Sequence, residues 1–139
     1  MLELQFLTKE DLETRVFEDY LDDSEQEDIE ATQNIEKQAI SLIKSKLRKR
    51  YDTAIIFSDA PYDGRNLILW AMSGIVSYRL VRRNAARKVP SDFKDEYKEV
   101  MTWLNDVRDG NENPELPMLP EEDQKGLLWG NSTNQNLYV

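Results

Sequence analysis

The sequence predicts an all-α fold of four helices, with a long structured loop between the second and third and an extended C-terminal tail. Apolar residues recur at steps of three and four through most of residues 8–110, and capping or turn residues separate these repeats. Only Ala54 to Phe57 could make a short strand, or else pack as a plug inside the loop. At 139 residues the chain is long enough for a single core. It divides into a helical domain over 1–110 and a tail over 111–139.

Thr8 is placed to cap the first helix, with Asp11 three residues on and Leu7 and Leu12 in the positions of a hydrophobic staple. Leu12, Val16 and Tyr20 continue it at helical spacing. The polar turn Asp22-Asp23-Ser24 then separates it from a long second helix. There Ile29, Thr32, Glu36, Ala39, Ile40, Ile43, Leu47 and Tyr51 form one stripe, with Glu36 as its polar interruption. Acids crowd the start of this helix (Glu25, Glu27, Asp28, Glu30) and bases its end (Lys44, Lys46, Arg48, Lys49, Arg50), the order that the helix macrodipole favours.

The loop over 52–64 contains Pro61 and Gly64. Asp59, Asp63 and Gly64 match three positions of a calcium-binding loop, but Pro61 and Trp70 stand where oxygen ligands are required, so the motif fails. The third helix, over about 65–86, opens almost wholly apolar from Leu67 to Val76 and is expected to lie at the centre. Its small residues Ala71, Ser73, Gly74 and Ser77 would let a neighbour come close, and an interior glycine that costs about 1 kcal/mol calls for such a reason. Arg79, Arg82, Arg83 and Arg87 line one side of its last turns. The fourth helix follows Pro90, with Ser91 or Asp92 as cap, and ends at Gly110. Leu42, Ile43, Trp70, Ile75, Met101 and Leu104 are expected to share one core.

In the tail, Pro114, Pro117 and Pro120 recur every third residue and favour an extended path. Two small apolar groups follow, Leu127-Leu128-Trp129 and Leu137-Tyr138-Val139. Ordering such a segment costs about 1 to 2 kcal/mol per residue, more than these scattered groups offset unaided. They are therefore candidate anchors on a partner; the alternative is that the tail folds back on its own domain.

Composition removes several functions. Without Cys or His the chain has no thiolate nucleophile, no thiolate metal site and no imidazole base, and its carboxylates, lysines and hydroxyls stand in no catalytic arrangement. No catalytic role, metal or cofactor is expected. The start lacks the basic and apolar regions of a secretory signal, and the run Leu67 to Val76 is too short for a membrane span, so a soluble protein made inside the cell is expected. The net charge of −9 is strongly segregated: residues 1–36 sum to −11, residues 37–89 to +9 and residues 90–139 to −7. Such unlike surfaces can neutralise each other within one subunit or pair head to tail between copies.

The elements Phe6-Leu7-Thr8-Lys9-Glu10-Asp11-Leu12, Arg50-Tyr51, Pro90 and Trp103-Leu104 with Val107 and Gly110, in this order, resemble the small head-tail connector proteins of tailed bacteriophages and prophages, in particular the Mu-like connector group. The resemblance spans about residues 6–110. It implies a connector-type helical bundle that forms a ring, commonly of twelve copies, at the virion neck. That ring docks under the portal protein, joins the capsid to tail-side neck or tail proteins, and surrounds genomic DNA without reading its sequence. The resemblance also implies a virion protein made in the host cytoplasm, with no membrane involved. On this reading Arg79, Arg82, Arg83 and Arg87 meet acids of an adjacent subunit or the portal, with the segment Asp19 to Glu30, and in it Asp22, Asp23, Glu27 and Asp28, as the expected source. Leu127, Leu128, Trp129, Leu137, Tyr138 and Val139 anchor the tail. The competing reading is a small helical nucleic-acid-binding or packaging-associated protein, whose basic residues would neutralise phosphates; the acidic remainder of the chain counts against it.

Overall fold

The computed structural model describes residues 4–8, 11, 26–84 and 89–120, the backbone alone at 26–28 and 84. The fold is all-α. Among the described residues the helices are α1 (Gln26–Leu47), the single-turn α2 (Thr53–Ile56), α3 (Arg65–Asn84) and α4 (Ser91–Asp109). The body of the expected first helix, Leu12 to Tyr20, lies outside the described residues, while its expected cap lies within them. Thr8 N–H donates to Asp11 Oδ2 at 2.9 Å, and Asp11 N–H donates back to Thr8 Oγ1 at 3.2 Å, the reciprocal capping that the sequence predicts.

Three long helices share one core. Trp70 meets Trp103, Gly74 meets Val100 and Tyr78 stacks on Tyr97, so α3 and α4 run antiparallel. Lys46 reaches Asn105 and Arg50 reaches Asn113, so α1 runs in the same direction as α4. Ala39, Ile43 and Leu47 of α1, Ile68, Ala71, Met72, Ile75 and Val76 of α3, and Val100, Leu104 and Val107 of α4 are all buried. These are the apolar stripes of each helix turned inward, burial worth about 1.5 to 3 kcal/mol for each large aliphatic side chain. Gly74 has the packing reason expected of it: a Cβ there would stand 2.8 Å from Val100 Cγ2.

Trp70 departs from the expectation of a central core residue. Ile43, Ile75 and Leu104 occupy the buried centre, while Trp70, Leu42 and Met101 are partly buried and pack against it. The Trp70 indole N–H donates to Glu96 Oε1 at 2.7 Å, and its ring meets Trp103 edge to face at 5.8 Å. A buried indole N–H needs an acceptor, and the margin between α3 and α4 supplies the carboxylate that the aliphatic centre lacks.

The loop plug exists as a turn of helix and not as a strand. Asp52 caps α2, accepting from Ile55 N–H at 3.2 Å, and Ile56 is fully buried. Tyr62 O–H donates to Ile56 O at 2.7 Å, and burial pushes the Tyr62 phenol up to about 12 against a smaller lowering by Arg65. Arg65 itself lies over the ring of Phe6 at 4.7 Å and donates to Ser58 O at 3.0 Å.

Helix α4 begins one residue earlier than its expected caps. Pro90 takes the N-cap position at φ −54° and ψ 145°, and its carbonyl accepts from Lys94 N–H at 3.3 Å without any side-chain cap. At the other end Gly110 adopts φ 88°, the left-handed conformation that glycine enters without steric cost. Beyond it the chain turns back on itself. Tyr51 and Met118 form an antiparallel bridge, Asp52 N–H donates to Pro117 O at 2.9 Å, Leu119 N–H to Arg50 O at 2.9 Å, and Gly64 N–H to Glu115 O at 2.8 Å. Leu116 is buried beneath this strap. Residues 111–119 thus lie against the helical domain, as the fold-back alternative has it; the rest of the tail, from residue 121 onward, lies outside the described residues.

Candidate interaction surface

The last turns of α3 and the middle of α1 enclose a groove of about 270 Å³ lined by Ile35, Gln38, Arg79, Arg82 and Arg83. Steps of three and four place the three arginines on one side of α3, and the direction of α3 against α1 sets that side over Ile35 and Gln38. Arg79 Nη1 donates to Gln38 Oε1 at 3.3 Å. The Arg82 guanidinium lies 5.6 Å from the centre of the Tyr78 ring, which is itself stacked on Tyr97 at 4.2 Å. Stacking on an aromatic face holds a guanidinium in a fixed orientation while its N–H groups still point outward. The groove can therefore receive an anion in a bidentate manner, carboxylate or phosphate.

The structure brings together three of the four arginines predicted from the sequence. Arg87, Asp22 and Asp23 lie outside the described residues, as do Leu127, Leu128, Trp129, Leu137, Tyr138 and Val139. Glu27 and Asp28 fall in the first turn of α1, the helix that also supplies Ile35 and Gln38 to the groove. Sequence reasoning missed Ile35 and Gln38; they sit off the main apolar stripe, and only the pairing of α1 with α3 makes them part of a surface.

Glu36 stands on α1 between the two residues that line the groove, Ile35 and Gln38. This carboxylate is 1% exposed and accepts from the backbone N–H groups of Gln5, of Phe6 at 2.9 Å and of Leu7 at 2.7 Å. Three donors aimed at one buried carboxylate replace its lost hydration, which is why an ionisable residue can occupy a core stripe. Its position as the polar interruption of that stripe was the signal in the sequence.

A second exposed feature lies at the other end of the bundle. Ile55, Leu67 and Met118 are 42%, 39% and 54% exposed. Met118 faces Tyr51, which leads into α2, and Gly64, just before Leu67, is held to Glu115, so the strap gathers all three at that end. Among the described residues there is no group of three or more His, Cys, Asp or Glu placed to hold a metal ion. None of the described helices is long and apolar enough to cross a membrane.

The described residues thus form an all-α body with a basic groove between α1 and α3. Residues 6–126 match the model of the family described as Bacteriophage Mu, Gp36, and the chain belongs to that family of Mu-like phage proteins. No curated protein and no solved structure matches it.

Proposed function

We propose that the chain is a structural head-tail connector subunit of a tailed phage, without enzymatic activity. It forms a closed ring, of about twelve copies as the resemblance implies, under the portal protein at the virion neck. The ring joins the capsid to tail-side proteins and lines part of the channel through which the genome passes. The observation that carries this reading is family membership over nearly the whole chain, joined to an element order that resembles the connector group. The segregated charges support it physically, because a ring requires a heterologous contact in which two unlike patches of each subunit meet.

The alternative, a nucleic-acid-binding or packaging-associated protein, draws on the same three guanidinium groups. A net charge of −9 makes duplex DNA a repulsive partner at distances beyond the groove. The test is direct: the purified chain is mixed with isolated portal rings, and complex formation is followed by mass and by electron microscopy. A stoichiometric ring stacked on the portal is the expected result. A chain that ignores the portal but binds duplex DNA with steep salt dependence would replace this reading with the alternative.

A further inference from the structure

We infer that the groove between α1 and α3 receives a second copy of this chain, through the acidic first turns of that copy's α1, Glu27, Asp28 and Glu30. The inference rests on the ring reading and names the contact that closes it. Within one chain Arg79 meets α1 at Gln38, a neutral amide that accepts a single N–H at 3.3 Å. A guanidinium carries five N–H donors, and among the described residues the bond to Gln38 uses one of those of Arg79. Arg82 rests on the neutral ring of Tyr78, which orients it without neutralising it.

The acids that complement these cations stand on the same helix. Glu27 and Asp28 precede Gln38 by eleven and ten residues, about 15 Å along the axis of α1 at 1.5 Å per residue. One continuous helix thus carries an acidic head, then the groove wall, then the basic turn of Lys44 and Lys46. Two copies related by a rotation can place the head of one in the groove of the next, and repetition closes a ring. Carboxylates fit better than phosphates here, since the acidic head is itself supplied by every copy, while a duplex would bring its whole charge against a net negative body.

The experiment uses the full chain in two charge-reversed forms, Arg82→Glu with Arg83→Glu, and Glu27→Lys with Asp28→Lys. Self-association is read by sedimentation and native mass at low and moderate salt, with helix content as the control for folding. Each variant alone should self-associate about a hundredfold more weakly than the wild type. Mixing the two should restore association, because each supplies the charge that the other now needs. Should the lysine variant fold poorly, Glu27→Gln with Asp28→Asn should weaken association in the same direction. A wild type that stays monomeric at every concentration, or a mixture that does not recover, overturns the inference. So does a groove variant that keeps self-association and loses binding to a duplex oligonucleotide. Portal binding is measured separately: association through the groove without portal capture sinks the connector reading alone, and portal capture with a dispensable groove sinks this inference alone.

Discussion

The backbone N–H of Leu7 donates to Glu36 Oε2 at 2.7 Å, across 29 residues of sequence, and neither group is open to solvent. This contact fixes where the N-terminal segment joins the bundle. It inserts Leu7 into the core, sets the ring of Phe6 against Phe57 at 5.0 Å and under Arg65, and delivers Thr8 to its capping position.

Replacing Glu36 with Ala should leave three backbone donors without their acceptor and destabilise the protein by about 3 kcal/mol or more. Glu36→Gln keeps one acceptor oxygen and should lose less. Urea unfolding of the three proteins checks this order. Equal stability of Glu36→Ala and wild type would mean that the N-terminal segment does not dock there.

Gly74→Ala gains about 1 kcal/mol of helix propensity but sets a methyl 2.8 Å from Val100 Cγ2. Val100 is β-branched and rigid on its helix, so α3 and α4 must separate, and a net loss of about 1 to 2 kcal/mol is expected. Combining Gly74→Ala with Val100→Ala should cost less than the sum of the single changes, because the methyl then fills the space that valine leaves. Additive losses in a double-mutant cycle would place the strain elsewhere.

Gly64→Ala should release the strap. An added Cβ would lie 2.5 Å from Glu115 O and 2.8 Å from Leu116 Cδ2, both fixed parts of the segment that it holds. Amide exchange should quicken at Asp52, Gly64 and Leu119, whose N–H groups bond across the strap, while amides inside α3 and α4 keep their protection. Unchanged exchange at Asp52 and Leu119 would contradict this.

Tyr62 links stability to alkaline pH. Its folded pKa of about 12 exceeds the ordinary value of 10.0, so its contribution is complete below pH 10 and is lost as pH rises toward 12. Tyr51 is raised by burial in the same direction, with Arg50 opposing. Thermal melts across this window should show the wild type losing stability more steeply than Tyr62→Phe, which cannot ionise, with Tyr51 accounting for a smaller remaining slope. A parallel decline in both proteins would show that Tyr62 is not the titrating group.

Much of this architecture was legible in the chain. The three-and-four spacing of α1 and α4, the Thr8–Asp11 capping pair, the left-handed Gly110 and the close approach at Gly74 all follow from short-range rules: helical period, cap chemistry and the space freed by a missing Cβ. The arginine stripe was readable for the same reason, since residues three and four apart share a side of any helix.

What the sequence by itself determined, then, is an all-α chain with its acids and bases in separate segments, because period and composition are local properties. The tertiary structure decided which side chains meet. It drew the Trp70 indole to the margin, where Glu96 could satisfy its N–H, and it turned the interrupting Glu36 into the acceptor for a distant backbone. It also laid residues 111–119 across Tyr51 and Gly64 and set Gln38 opposite Arg79. These contacts join positions tens of residues apart, and they form only because burial leaves each polar group a partner within the fold or none at all.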